Sequence, residues 1–243
     1  KMLCGASPSG RISAFVSPDG IHWDAACHNP VIPSNPDCPM SLHRQEDGRY
    51  VAYFRAEFAD RRVGRSESWD FVRWEHPKRV LEPGPGDPAQ LQFYGMGATQ
   101  YGAYEIGTVW MYHTVTHDYR WAKMDGYQEA ELTYCRSGYA WHRAAQGEPF
   151  IPHGRMGSWE QGNLQCASSP VLLDDEIRFY YAASKRFHGQ KLEDVAGEAG
   201  LGVAVCKPDR FVGLHAGKGQ AEMVSSVFWM KSPEVYVNAR TAR

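Results

Sequence analysis

Short runs of alternating or densely apolar residues recur along the chain, and they have the length of β-strands. These runs occupy residues 11–16, 50–56, 108–112, 131–134, 171–173, 177–181 and 202–205. Apolar runs of four to eight residues bounded by turn residues are typical of strands. Residues 190–199 are the best candidate for an amphipathic helix, but they are charged and contain glycine, so we predict a loop there. The pattern therefore predicts an all-β protein.

One turn phrase repeats between these runs. Its copies occupy residues 17–23, 66–74, 135–141 and, in a degraded form, 206–211. Each copy joins a turn containing Asp or Gly to an aromatic anchor, and the first three lead into a proline-bearing extended stretch. The anchors, separated by 51, 67 and 70 residues, are Trp23, Trp74, Trp141 and Phe211. A period of this kind with strands on both sides of each turn predicts radially repeated four-stranded sheets, as in a β-propeller.

The repeat predicts four blade-like units followed by a different segment. The units cover residues 1–35, 36–90, 91–155 and 156–220, and the first is incomplete. The chain opens in what looks like the middle of a strand, so we expect a fragment of a longer propeller. From residue 221 the repeat stops, and residues 221–243 are expected to begin a C-terminal β-sandwich or to add a closing strand.

Composition narrows the classes of partner. The chain of 243 residues carries a formal net charge of −2, which gives no electrostatic reason to bind nucleic acid or an anionic membrane. No apolar run approaches transmembrane length, and no signal peptide is visible. Aromatic residues make up 13% of the chain. Rings and hydroxyls suit carbohydrate, since sugar C–H faces stack on rings, but rings also fill the core between sheets.

The cysteines and histidines predict no metal centre. None of the six cysteines forms a CxxC pair, so we expect free thiols. Five histidines could suggest a metal site: His113, His117, His142, His153 and His188. Their spacings match no ligand motif, and we expect neither a metal nor another cofactor.

Three carboxylates are candidates for acid–base chemistry, because carboxylates from different blades that meet at a propeller axis would suit glycoside cleavage. Asp37 precedes the first strand pair of the second unit, and Glu129 lies in the third unit. Glu160 stands beside Trp159 in a glycine-rich loop of the fourth unit. A turn residue flanked by prolines is an equally good interpretation of Asp37.

Polar and aromatic residues near the ends of the predicted blades are candidates for sugar contacts. They are Arg55, Tyr94, His113, Trp159 and His188. His113 and His188 each follow an aromatic strand, and a histidine there is a good hydrogen-bonding partner for a sugar hydroxyl. A single histidine in a strand is more often an ordinary hydrogen-bonded core residue.

The order of these motifs resembles the five-bladed β-propeller glycosidases, the superfamily of invertases, levansucrases, arabinanases and β-xylosidases. The resemblance covers about residues 5–220 and rests on residues 17–23, 48–55, 63–74, 149–152 and 157–162. It implies a five-bladed propeller with about four blades present here, and a glycoside hydrolase acting on an oligosaccharide or a polysaccharide side chain. It also implies three acids from successive blades, the first of them upstream of Lys1.

The resemblance assigns the candidate acids to positions of the family. Asp37 matches an acid that opens a blade, and Glu160 matches the acid of a Trp-acid segment that borders the site. Glu129 matches an acid before a Ser-Arg-Asp-Gly-type turn, which is changed here to Cys135-Arg136-Ser137-Gly138. Two positions depart from the family. His43-Arg44-Gln45 stands where an aromatic–acid pair is common, and Met96 where asparagine is expected.

These departures favour an alternative function, a propeller that binds carbohydrate without cleaving it. A third hypothesis, a sialidase-type propeller, would need three arginines converging on a carboxylate. Arg55 and Arg155 are available for it, but the sequence shows no trio. In every version we expect the repeated turns to be structural.

Overall fold

The computed structural model describes residues 1–6, 11–32, 39–55, 61–114, 126–190, 198–237 and 239. Its contacts divide the chain into two units, Lys1–Val212 and Gly213–Arg243. Every strand lies in the first unit. In the second unit, the described residues form neither helix nor strand, and side chains such as Val227 and Trp229 are exposed. The β-sandwich expected from residue 221 therefore stays a prediction.

The first unit is all-β, as the sequence pattern predicts; no helix occurs in the described ranges, so none there could cross a membrane. In chain order the strands are β1 (Met2–Ala6), β2 (Arg11–Val16), β3 (Asp24–Ala25), β4 (Pro39–Arg44), β5 (Tyr50–Arg55), β6 (Val63–Ser68), β7 (Lys78–Leu81), β8 (Leu91–Tyr101), β9 (Tyr104–Thr114), β10 (Gly126–Cys135), β11 (His142–Arg143), β12 (Asn163–Cys166), β13 (Val171–Leu172), β14 (Ile177–Ser184) and β15 (Ala199–Cys206).

The strands form four antiparallel sheets that follow one another along the chain. The first sheet has the order β1-β2-β3, the second β4-β5-β6-β7 and the third β8-β9-β10-β11. In the fourth sheet β14 pairs with β12 and β13 along one edge and with β15 along the other. Each sheet matches one predicted unit, and the fold is a propeller with four blades in the described part of the chain. A fifth blade stays a prediction.

Apolar side chains fill the space between successive sheets. Ile12 and Phe54 belong to the cluster between the first and second sheets. The third sheet is covered on both faces, because β9 places Val109 and Met111 against the second sheet and Trp110 against the fourth. Successive residues of a strand point to opposite faces. Because both faces of β9 are buried, its sequence is a dense run of apolar residues and does not alternate between apolar and polar residues.

The repeated turn has one geometry in three blades. Gly20, Phe71 and Gly138 occupy the same position of the phrase, and their φ angles are 76°, 72° and 74°. In each copy the indole N–H of the anchor tryptophan donates to the carbonyl of this residue, at 3.2, 3.1 and 3.1 Å. The turns join two strands at the outer part of a blade. Their role is structural, as predicted from the sequence.

Carboxylates also shape these turns. The Asp19 carboxylate accepts the backbone N–H groups of Ile21 and His22, each at 2.9 Å. Asp70 does the same for Val72 and Arg73, at 2.8 and 2.7 Å. The contact with His22 and the two backbone donors hold the pKa of Asp19 well below its ordinary value. An ionised aspartate at this position therefore stabilises the turn.

A buried ionic network joins the second sheet to the third. Arg65 and Glu67 of β6 form an ion pair, and the hydroxyl of Tyr53 donates to Glu105 Oε2 at 2.6 Å. Arg65 Nη2 lies 3.7 Å from Glu105 Oε1, and His43 Nε2 lies 3.3 Å from Glu105 Oε2. Burial by itself would raise the pKa of Glu105, but the contacts with His43 and Tyr53 and the charge of Arg65 lower it overall.

We expect Glu105→Gln to destabilise the fold at neutral pH by about 1–3 kcal/mol, because it removes the charged acceptor of the buried Tyr53 hydroxyl and one of the two carboxylates beside buried Arg65. The pKa of Glu105 is lower in the folded chain, so its stabilisation is present above the ordinary carboxyl range and is lost as pH falls. The difference between wild type and variant should therefore shrink below about pH 4. Chemical denaturation across pH measures it, with exposed Glu148→Gln as the control. A difference that is constant with pH would contradict this role.

Candidate functional site

Strand direction brings several predicted residues to one end of the sheets. Arg55 closes β5, Tyr94 lies near the start of β8, and His188 follows β14 by four residues. In an antiparallel sheet the start of one strand lies beside the end of its neighbour, as in the pairing of Gln92 with Tyr112. The ends of β5, β9 and β14 therefore lie beside the starts of β4, β8 and β12.

Five side chains at this end form what we call the rim cluster: Arg55, Arg61, Tyr94, Tyr112 and His188. The ring of Tyr94 lies 5.8 Å from that of Tyr112 and 5.2 Å from that of His188, centroid to centroid. The guanidinium carbons of Arg55 and Arg61 each lie 4.9 Å from the centroid of Tyr94. Cations over an aromatic face at this distance are attracted by its quadrupole.

Hydrogen bonds fix the rings of the cluster relative to each other. His188 Nδ1 lies 3.3 Å from the Tyr112 hydroxyl, and Nε2 lies 3.2 Å from the Tyr94 hydroxyl. Arg61 donates from Nη1 to the side-chain carbonyl of Gln92 at 2.6 Å. The cluster therefore combines cationic donors, hydroxyls and an imidazole on three different blades.

The glycine-rich loop singled out from the sequence holds the segment that carries His188. Gln161 donates from Nε2 to the carbonyl of Lys185 at 2.9 Å, and Asn163 donates from Nδ2 to the carbonyl of Arg186 at 2.7 Å. We call residues 161–163 the clamp. Because the clamp binds the main-chain carbonyls of residues 185 and 186, its hold on this segment does not depend on the side chains of these two residues.

Close backbone approach is part of the same arrangement. A Cβ on Gly162 would lie 2.2 Å from the carbonyl oxygen of Arg186. A Cβ on Gly126 would lie 2.6 Å from the ring of Tyr112, and the carbonyl of Gly126 accepts the N–H of His188 at 2.9 Å. Both positions therefore require glycine for a steric reason.

A second polar group lies on the other face of the third sheet. His113 follows Tyr112 in β9 and so points to the opposite side. Its ring stacks on Tyr127 at 4.6 Å, and Tyr127 contacts His153 at 4.5 Å. His113 Nε2 lies 3.0 Å from Glu129 Oε1. Burial first, and then the charge of Glu129, raise the pKa of Tyr127, so its hydroxyl stays protonated at neutral pH.

Glu160 and Trp159 form a third group, against the fourth sheet. The hydroxyl of Tyr181 donates to Glu160 Oε2 at 2.8 Å, and Trp159 lies parallel to the Tyr181 ring at 6.3 Å. Gly200 sits beneath Trp159, since a Cβ there would come within 3.2 Å of the indole. Burial and the bond to Glu160 raise the pKa of Tyr181 to about 12. The carboxylate of Glu160 is thus engaged within its own blade.

The predicted site residues therefore divide into three groups. The structure brings Arg55, Tyr94 and His188 together, pairs His113 with Glu129, and pairs Trp159 with Glu160. Asp37 lies outside the described residues.

Five polar or aromatic side chains of these groups are not among the residues predicted from the sequence: Arg61, Tyr112, Tyr127, His153 and Tyr181. Tyr112 could have been found, because it stands beside His113 at the end of the same strand. The sequence suggests His153 only as a possible metal ligand, and no metal-binding group of three or more side chains occurs where the structure describes the chain. The five described cysteines are free thiols, as expected.

Several solved structures share this architecture. One is an N-acetylgalactosamine deacetylase from F. plautii in complex with blood group B trisaccharide, at 14% identity and a TM-score of 0.55, covering 78% of this chain and 54% of that one. Another is a β-1,2-mannobiose phosphorylase from Listeria innocua in complex with β-1,2-mannobiose, at 12% identity and a TM-score of 0.55; the match covers 79% of this chain and 48% of that one. A third is a family 117 glycoside hydrolase from Zobellia galactanivorans, at 15% identity and a TM-score of 0.51; the match covers 72% of this chain and 52% of that one.

The chain has a β-propeller fold. At these identities the likeness is one of fold, and the propeller is shared with enzymes that include glycoside hydrolases. The chain spans about half the length of each of these three proteins. No protein-family model and no curated protein matches it in sequence.

We expect Gly162→Ala to destabilise the protein by about 1–3 kcal/mol, because the added methyl group would meet main-chain atoms that cannot rotate away. Thermal or urea denaturation measures the loss. Gly84→Ala is the matched control, since a Cβ at Gly84 meets nothing within 4 Å. A Gly162 variant as stable as the Gly84 variant would show that the clamp does not depend on close approach.

Proposed function

We propose that this chain is a carbohydrate-active propeller that hydrolyses a glycosidic bond in an oligosaccharide or a polysaccharide side chain. The observation that carries the proposal is the rim cluster. Arg55, Tyr94 and His188 come from separate blades, 39 and 94 residues apart along the chain, and meet at one end of the sheets. Their donors and rings match what a sugar offers, which is hydroxyl oxygens and apolar C–H faces.

The shared fold supports the class of ligand. Proteins with this architecture include a glycoside hydrolase, a phosphorylase in complex with β-1,2-mannobiose and a deacetylase in complex with a trisaccharide. Carbohydrate is thus the ligand class common to them, and we extend it to the rim cluster of this chain by analogy of fold.

Carboxylates would carry the chemistry of hydrolysis. One must protonate the leaving oxygen while another activates water or attacks the anomeric carbon. We assign these two roles to carboxylates among Asp37, Glu129 and Glu160. Glu129 is an acid–base candidate because its carboxylate lies beside a second titratable side chain, with His113 Nε2 at 3.0 Å.

A propeller that binds carbohydrate without cleaving it is the second candidate. The observation that favours it is the bond from Tyr181 to Glu160, which gives this carboxylate a structural partner inside the fourth blade. In that case the rim cluster would bind sugar, the protein would not cleave it, and none of the three carboxylates would be catalytic.

A panel of aryl glycosides and oligosaccharides, including β-1,2-mannobiose and the blood group B trisaccharide, separates the two candidates. We expect release of sugar by the wild type, and a fall of roughly 10²- to 10⁴-fold in kcat for any variant that removes a catalytic carboxylate. The variants are Asp37→Asn, Glu129→Gln and Glu160→Gln. Saccharide binding should persist in them, because only the reacting carboxyl group is changed.

Exposed Glu148→Gln is the matched control and should keep full activity. Tyr94→Phe should weaken saccharide binding by roughly 2- to 10-fold, which is the value of one hydrogen bond. Saccharide binding without turnover, unchanged in all three carboxylate variants, would establish the binding module instead. Neither binding nor turnover across the panel would contradict both candidates.

A further inference from the structure

The environment of His188 gives each ring nitrogen a tyrosine hydroxyl as its neighbour. Tyr112 lies 3.3 Å from Nδ1 and Tyr94 lies 3.2 Å from Nε2. A neutral imidazole has one N–H donor and one acceptor nitrogen, whereas a hydroxyl can both donate and accept. The three groups can therefore be ordered in two ways. Either every donor points from Tyr112 towards Tyr94, or every donor points the other way.

This chain of hydrogen bonds leads from the core to the surface. Tyr112 is fully buried, at 0% exposure, while His188 and Tyr94 are partly exposed. A ligand at the rim cluster can therefore contact Tyr94, which is partly exposed, but not Tyr112. The direction of the chain consequently decides whether Tyr94 offers the ligand its O–H or only its lone pairs.

We propose that Tyr112 is a positioning residue that sets the tautomer of His188 and, through it, makes Tyr94 a hydrogen-bond donor to the ligand. Tyr112 donates to Nδ1, Nε2–H donates to the Tyr94 oxygen, and the Tyr94 O–H is left pointing outward. The guanidinium groups of Arg55 and Arg61 over the Tyr94 ring favour this direction, because nearby positive charge strengthens a phenol as a donor. A hydroxyl that accepts one bond also donates more strongly.

The backbone is built to hold both ends of this chain. The carbonyl of Gly126 accepts the N–H of His188 at 2.9 Å, and the missing side chain of the same glycine makes room for the ring of Tyr112. One residue thus fixes His188 and Tyr112 relative to each other. The clamp adds a second constraint, because it binds the carbonyls of Lys185 and Arg186 just before His188.

Nitrogen-15 NMR of the histidine-labelled protein without ligand tests the tautomer directly. The His188 signals are assigned from their absence in His188→Gln. We expect an unprotonated Nδ1 and a protonated Nε2 in the wild type, and a mixture of both tautomers in Tyr112→Phe, which lacks the donor to Nδ1. Tyr53→Phe removes an equally buried hydroxyl from a different network, so it should leave the His188 signals unchanged. A protonated Nδ1 in the wild type, or a tautomer ratio unchanged by Tyr112→Phe, would overturn the proposal.

The role toward a ligand rests on the proposed function and has a separate readout. Binding of the panel saccharides should weaken by roughly 2- to 10-fold in Tyr112→Phe, although Tyr112 is too buried to touch them. If the tautomer shifts as expected but no saccharide binds to any variant, the hydrogen-bond chain is supported and the proposed function fails. If saccharides bind and Tyr112→Phe binds them as tightly as the wild type, the positioning role is overturned.

Discussion

Three backbone hydrogen bonds between the third and fourth sheets are the contacts on which the candidate site depends. Ala98 donates to Ser168 at 2.9 Å, Gln128 to Gly162 at 2.8 Å, and His188 to Gly126 at 2.9 Å. The side chains packed between blades can tolerate small shifts. Main-chain bonds fix the distance between two sheets much more tightly, so the third and fourth sheets are held in one register along their length.

Close approach of this kind imposes a composition on the chain. A Cβ on Gly97 would lie 2.3 Å from the carbonyl oxygen of Ala167, and Gly126 and Gly162 are similarly confined. The polar groups of the rim cluster can then be rigid although they lie on different blades, because each is supported by a strand end or by the clamp. Rigid positioning is what a site needs if it is to distinguish the hydroxyl pattern of one sugar from another.

The sequence predicts the parts of this structure that depend on local chemistry. Turns with a fixed positive φ and a tryptophan anchor are local, so Trp23, Trp74 and Trp141 could be recognised from the repeated phrase. Arg55, Tyr94 and His188 could be chosen because strand ends carry function, but their contact with Tyr112 depends on sheets folding together. The partner of Glu160 is similarly non-local, since Tyr181 lies 21 residues further along the chain, on β14. No local pattern shows such pairings.

The central claim is that saccharide binds at the rim cluster. The most direct measurement is a titration of the nitrogen-15-labelled protein with the panel saccharide that binds most tightly, followed by backbone amide shifts. The account predicts the largest shifts at Tyr94, Gly126 and His188, with Tyr94→Phe reducing them. Shifts confined to the neighbourhood of Trp159 and Glu160, with the rim cluster unaffected, would contradict it.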